Sequence, residues 1–319
     1  MNYYPITIPT LNRYEKFKNC IESLKKNFHS DQTELIIGLD YPPSEKYFDG
    51  YNKIKNYLKT ITGFKKITVF ERTTNFGSDL NTKDIRKYAL SKYEACIHTE
   101  DDNVFSPYFI DYMNAALNEY KDNDSIFAIC AYSYPIDWKS QKDCILQSQY
   151  FSAWGMGIWK HKELDYINLL SQKTFRKQFK NMKNIIRLIH SPYNLYQLYY
   201  LCYSSNIPYC DITRSAYLLF NKKYVLMPTQ SLSCNEGWDG TGEHCRIDFE
   251  KSFYTELNEN QVVDIKNVEK VKSLELEKKL SGLIDQKKFR RIKLCFIIVS
   301  IFGFWPFDLL HFIKSRIKK

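Results

Sequence analysis

Three consecutive carboxylates, Glu100, Asp101 and Asp102, close the apolar run Ala95-Cys96-Ile97-His98-Thr99 and precede Asn103, Phe105 and a helix-opening Ser106-Pro107. Adjacent negative charges repel one another and cost stability unless a cation sits among them. A hard divalent cation suits this set, because Mg²⁺ and Mn²⁺ take one or two carboxylates and complete their shell with water and phosphate oxygens. An apolar run that ends in acids reads as a strand, and the C-terminal end of a strand in an α/β sheet is where ligands bind. The stretch therefore reads as a metal and diphosphate site. The plain structural alternative is a solvated acidic turn in which Asp102 or Asn103 caps the helix near Pro107.

Positioning such a site takes a sheet. Ile6 to Thr10 predicts a first strand, and Arg13 to Phe28 a helix with Tyr14, Phe17, Ile21, Leu24 and Phe28 on one face. Glu34 to Leu39 predicts a second strand, ended by Asp40 and the breaker Pro42-Pro43. A polar helix near Lys53 to Thr60 leads to a third strand, Ile67 to Phe70. The loop Thr73 to Asp79 then opens a helix near Lys83 to Ser91, and the acidic stretch ends the fourth strand. Strand and helix alternating at this spacing predict an α/β fold with a doubly wound, mostly parallel, Rossmann-like sheet.

After Pro107, the spacing of Phe109, Met113, Ala116, Leu117 and Tyr120 predicts another helix, followed by a buried strand from Ile126 to Ala131. The pattern then changes. Tyr150 to Lys160 mixes aromatics with Gly155 and Gly157, and a Lys- and Asn-rich helical insert runs from about residue 163 to 203. Strand-like Tyr224 to Pro228 precedes a polar, Gly-containing loop from Cys234 to Cys245.

Of the formal net charge of +10, residues 286–319 carry +8, from nine Lys and Arg against Asp308. The remaining body is nearly neutral, which argues against a nucleic-acid partner and for an anionic membrane surface. The basic residues flank an uncharged apolar run, Leu294 to Phe307, that is shorter than the roughly 20 residues of a spanning helix. Gly303 and Pro306 interrupt it, so a monotopic or re-entrant segment is expected, with a core helix as the alternative. The nine cysteines form no Cys-x-x-Cys pair and several lie in apolar runs, as reduced thiols of a cytosolic chain would. The first residues lack a basic region followed by an apolar core, so no secretory signal is expected.

Taken in order, several segments resemble the GT-A glycosyltransferases, the nucleotide-sugar-dependent fold, and in particular bacterial family-2-like sugar transferases of surface-polysaccharide (O-antigen, capsule or lipopolysaccharide) synthesis. Pro9-Thr10-Leu11-Asn12-Arg13 resembles the first strand and nucleotide-facing turn of that family. Asp40 and Asn75-Phe76-Gly77 stand where such proteins contact base and ribose, and Glu100-Asp101-Asp102 resembles the Asp-x-Asp element. Trp154-Gly155-Met156-Gly157-Ile158-Trp159 is similar to an acceptor-side segment, and Asp211-Ile212-Thr213-Arg214 to an Asp-x-x-Arg site holding the catalytic base. Ser231-Leu232, Asn235, Gly237 and Asp239 to Cys245 match a late loop of the same group.

The resemblance covers about residues 5 to 248 and implies a metal-dependent inverting transfer of a sugar from a nucleotide-diphosphate sugar to a lipid-linked or growing glycan acceptor. Thr10, Arg13, Asp40, Asn75, Gly77, Asn81, Glu100 and Asp101 would then face the donor, and Trp154, Gly155, Glu236 and Asp239 the acceptor. Arg13 and Lys83 either pair with phosphate or lie solvated, and Asn75 and Asn81 either touch the nucleotide or order their turn. Asp102 would hold Mn²⁺ or Mg²⁺, and His244 either completes the metal shell, binds phosphate or is structural. Asp211 is the expected general base, oriented by Arg214 one helical turn on, with Glu236 and Asp239 as rivals. A catalytic domain of residues 1–255 and a membrane-associating helical tail of residues 256–319 are expected, peripheral to the inner face of the cytoplasmic membrane. A nucleotidyltransferase and a non-catalytic nucleotide-sugar binding protein are the rival classes.

Overall fold

The computed structural model describes residues 2–138, 144–169, 172–189, 195, 198, 202, 211–240, 253–260, 262–270, 274–282 and 286–317. The chain divides into two compact units, one of residues 1–148, 152–162 and 225–271, the other of residues 149–151, 163–224 and 272–319. The first unit opens with β1 (Ile6–Thr10), α1 (Tyr14–Lys25), β2 (Glu34–Leu39), α2 (Phe48–Leu58), β3 (Lys66–Glu71), α3 (Gly77–Lys92) and β4 (Ala95–His98). It continues with β5 (Asn103–Phe105), α4 (Phe109–Glu119), β6 (Ile126–Cys130), β7 (Ile145–Ser148) and β8 (Met156–Trp159). Helix α5 (Lys160–Leu169) leads into the second unit, which holds α6 (Gln172–Gln178), α7 (Met182–Ile189) and α8 (Asp211–Asn221). The chain returns through β9 (Tyr224–Pro228), β10 (Ser233–Asn235) and β11 (Val268–Lys270) and ends in α9 (Leu274–Gly282), α10 (Gln286–Phe302) and α11 (Trp305–Ile317).

The main sheet has the order β11-β7-β9-β6-β8-β4-β1-β2-β3. Strands β4, β1, β2 and β3 run parallel, and β8 turns the sheet by pairing antiparallel with both β4 and β6. Strands β1, β2 and β4 read as apolar runs because both faces are covered, and every residue of β2 is buried, whereas β3 at the edge stays partly exposed. From β1 the chain steps outward to β2 and β3, then crosses back to place β4 on the other side of β1. That reversal opens a crevice at the C-terminal ends of β1 and β4, the usual ligand site of such sheets.

Helix α1 packs Phe17, Cys20, Ile21 and Leu24 into the core, at the expected spacing. Phe28 falls outside it, because the helix stops at Lys25. The Phe28 ring lies 5.4 Å from that of Tyr108 and stays half exposed. A separate antiparallel ribbon pairs β10 with β5, setting Asn235 opposite Asn103.

In the second unit a single apolar cluster joins Phe175, Phe179 and Leu188 to Phe220 of α8, Ile292, Cys295 and Val299 of α10, and Phe304 and Phe307 of α11. The C-terminal helices therefore share a core with the helical insert, whereas composition alone sets them apart at residue 256. Arg176 donates to both oxygens of Asp308, at 2.8 and 3.0 Å, within the same unit. Among the described residues no single helix is long and apolar enough to cross a membrane. The pair Arg290–Phe302 and Trp305–Lys314 passes that test only jointly, across a bend of 111°.

Candidate functional site

The parallel register Ile6↔Ile97 and Thr7↔His98 brings the ends of β1 and β4 side by side, so the turn after Thr10 meets the acids after Thr99. Thr10 Oγ1 donates to Asp101 Oδ2 at 2.8 Å, and Arg13 Nη1 donates to Asp102 Oδ2 at 2.7 Å. The other Arg13 amine donates to Asp101 Oδ1, so one guanidinium spans both acids. Asp101 and Asp102 are buried, which raises the Asp101 carboxyl to about 6; Arg13 pulls the value down and the Asp102 charge pushes it up. The same two acids raise the Arg13 pKa.

The late loop closes the site from the other side. Asn235 Nδ2 donates to Asp102 Oδ1 at 2.8 Å and to Asn103 Oδ1 at 2.9 Å, while the Glu236 amide donates to the Asp102 carbonyl at 2.8 Å. Lys16, one turn beyond Arg13, donates to the Glu236 carbonyl at 2.8 Å and pairs with Asp239 at 3.5 Å. Gly237 is required here, since a Cβ at that position would sit 2.2 Å from Asp102 Oδ2. Trp238 Nε1 donates to the Asn235 carbonyl at 2.9 Å, which ties an aromatic cluster to the acidic pair. In that cluster the Trp154 ring meets Tyr132, Trp238 and Phe253 edge-on at 4.7, 5.6 and 6.2 Å. Gly155 supplies the left-handed turn, φ +80°, that carries Trp154 into β8.

Asp40 organises the neighbouring loop. Its Oδ1 accepts from the Tyr41 and Phe76 amides at 2.9 and 2.8 Å, and its Oδ2 accepts from Asn75 at 3.3 Å. Asn75, Phe76, Leu80, Lys83, Asp84 and Lys87 line an open groove of about 330 Å³ beside it. Gly77 opens α3 at φ +74°. Asn81 faces inward, donating to the Gly38 carbonyl at 2.7 Å and accepting from Arg72 Nε at 3.1 Å. It is a clamp between α3 and β2, the structural one of the two roles expected for it. Lys83 pairs with Asp79 at 2.7 Å.

Asp211 and Arg214 belong to the second unit, where Asp211 opens α8. Arg214 is buried and donates to Glu163 at 3.3 Å, between the rings of Phe151 and Tyr166. Within that unit the buried guanidinium of Arg214 thus has a carboxylate, Glu163, as a charged partner. His244 lies outside the described residues. Sequence reasoning passed over Lys16, Trp238 and Phe253. Lys16 stood three residues from Arg13 on one helix face, and Trp238 between two of the nominated residues, Glu236 and Asp239.

The residues present fit a divalent cation. Each carboxylate oxygen of Asp101 and Asp102 accepts one of these hydrogen bonds and keeps a further lone pair for a second partner. Two carboxylates against one guanidinium also leave one net negative charge. Among the described residues no three His, Cys, Asp or Glu side chains converge, so such an ion would complete its shell with water or phosphate oxygens.

No protein-family model matches the chain, and no curated protein matches it significantly. Among solved structures, the chain is similar to the mannosyltransferase PcManGT from Pyrobaculum calidifontis, in complex with GDP-Man and Mn²⁺, at 13% identity and a TM-score of 0.38, over 52% of this chain and 46% of that one. Residues 1–349 of S. aureus TarS in complex with UDP-GlcNAc align at 11% identity and TM-score 0.40, over 96% of this chain and 69% of that one. Mouse xyloside xylosyltransferase 1, in its apo form, aligns at 10% identity and TM-score 0.42, over 82% and 95%. The chain spans less than half the length of the mannosyltransferase and of the longer TarS chain, 46% and 36%.

Proposed function

We propose that the chain is a metal-dependent inverting glycosyltransferase that moves a sugar from a nucleotide-diphosphate sugar to a hydroxyl of a lipid-linked or growing surface-polysaccharide acceptor. The observation that carries this reading is the buried Asp101–Asp102 pair at the β1–β4 reversal, bridged by Arg13 and held by Thr10 and Asn235. Mn²⁺ or Mg²⁺ bound at Asp102 would act as a Lewis acid on the departing diphosphate. Arg13 offers the same diphosphate a fixed cation, and Asp101 or Glu100 faces ribose or the donor sugar. Asp40 and Asn75 shape the groove in which the base and ribose would lie. Trp154 and Trp238 present ring faces and edges on which a pyranose packs. One displacement with a carboxylate base inverts the anomeric carbon, and Asp211 is that base in this reading.

The deciding experiment incubates the purified chain with Mn²⁺ and a panel of UDP-, GDP- and dTDP-sugars and measures released nucleotide. Release from one donor that stops with EDTA and with Asp102→Ala supports the reading and names the donor. Absence of both turnover and calorimetric binding across the panel overturns it.

A further inference from the structure

Helix α10 is apolar on two sides. Ile292, Cys295 and Val299 face the core of the second unit, yet Leu294, Ile297 and Ile301 recur at helical spacing on a face that stays exposed. That exposed face continues past the bend into Trp305, Leu309 and Phe312 of α11. Nine large apolar side chains between Leu294 and Ile313 are each at least 44% exposed; the other described residues together add eight of that kind. Burying one face suffices to fold a helix, so a second apolar face of this density marks a surface with an outside partner.

The charges around the face identify that partner. Lys287, Arg290, Arg291 and Lys293 are exposed before it, and Lys314 and Arg316 after it. Asp308, the only acid between residues 286 and 317, is engaged by Arg176. Stacking this face on a second copy would set like charges against one another, whereas an anionic bilayer supplies both the apolar interior and the countercharge. With a 111° bend between them, the two helices form a wedge suited to lie within one leaflet.

We propose that the α10–α11 wedge seats the second unit on an anionic bilayer surface, with Leu294, Ile297, Ile301 and Trp305 at the headgroup–acyl boundary and the flanking Lys and Arg on lipid phosphates. This inference stands apart from the transferase reading, because it rests on helices of the second unit alone.

The test is flotation of the full chain with vesicles of phosphatidylcholine, with and without phosphatidylglycerol. Binding is expected to favour the anionic vesicles and to weaken about fivefold for each basic residue neutralised among Lys287, Arg290, Arg291 and Lys293. The combined exposed-face variant Leu294→Ser, Ile297→Ser, Ile301→Ser is expected to lose more than about a hundredfold. Those side chains leave the core intact, and an unchanged circular-dichroism melt establishes that the variant is folded. If it proves unfolded, quenching of Trp305 by bromolipid in the parent chain, read against Trp305→Phe, gives the answer. Equal binding to neutral vesicles, no binding to either, or a concentration-dependent dimer dissolved by the Ser variant each overturns the proposal.

Discussion

The Arg13 guanidinium and the Asp102 carboxylate meet at 2.7 Å, while the second amine of the same guanidinium holds Asp101. One cation thus compensates two buried anions that the sequence sets next to each other. Removing one partner of a buried pair leaves an uncompensated charge, a larger loss than the pair's own net contribution. Arg13→Met is expected to destabilise the metal-free chain by about 3 kcal/mol in urea unfolding. Arg13→Lys should recover only part of this, because an ammonium cannot fork across two carboxylates. Mn²⁺ should raise the Tm of Arg13→Met more than that of the parent chain, as the ion takes over the vacated charge. An equal shift in both would separate the metal site from Asp101 and Asp102.

Gly237 offers a sharper probe, because its role is to be absent. A methyl group there would collide with Asp102 Oδ2 at 2.2 Å, forcing the carboxylate away from Arg13 or the loop away from β5. Gly237→Ala is expected to cost about 1–3 kcal/mol of stability. The same change should abolish metal-dependent nucleotide release. A variant with normal turnover would mean that Asp102 does not need its present position.

The strands β1, β2 and β4 and the acids at the end of β4 were legible in the sequence, because apolar runs buried on both faces and a sudden carboxylate triplet are local signals. Thr10 and Arg13 could be placed beside those acids only by analogy, since the parallel register that joins them spans about ninety residues. Two kinds of feature were not legible. The Arg214–Glu163 pair depends on which faces of α5 and α8 meet, a tertiary choice that helical spacing leaves open. The exposed Phe28 and the shared core of the insert and the C-terminal helices follow from where helices stop and which apolar face finds a partner. Trp238 escaped because a single aromatic in a polar loop carries no periodicity.

Acid sensitivity should be detectable away from the site. Glu34, at the start of β2, accepts from Thr68 at 2.6 Å and from Tyr93 at 2.7 Å and pairs with Lys66 at 3.2 Å. Burial pushes its carboxyl upward, but these three partners together hold it below the ordinary glutamate value. A lowered folded-state pKa means that the unfolded chain binds the proton more readily, so this contribution is complete above the unfolded value and is lost as pH falls from there through the folded one. Glu34→Gln is expected to cost about 1 kcal/mol near neutrality and almost nothing at acid pH, as read by urea titrations across that range. A loss of equal size at both ends would assign the residue's contribution to packing.

The identity of the general base is the last point that mutation can settle. Asp211 opens α8 in the second unit, whereas Asp239 lies in the first, half exposed and paired with Lys16 at 3.5 Å. A base deprotonates the acceptor hydroxyl in the transition state, so losing it lowers kcat by about 10²–10⁴-fold while leaving donor affinity in place. Asp211→Asn is expected to behave in that way. Asp239→Asn should instead disturb the loop that Lys16 holds against Asp102, raising the donor KM with a smaller change in kcat. Steady-state kinetics with a turned-over donor and an added acceptor separate the two patterns. Reversal of the patterns would move the base into the late loop, one residue from the Trp238 ring and within the same unit as Asp101 and Asp102.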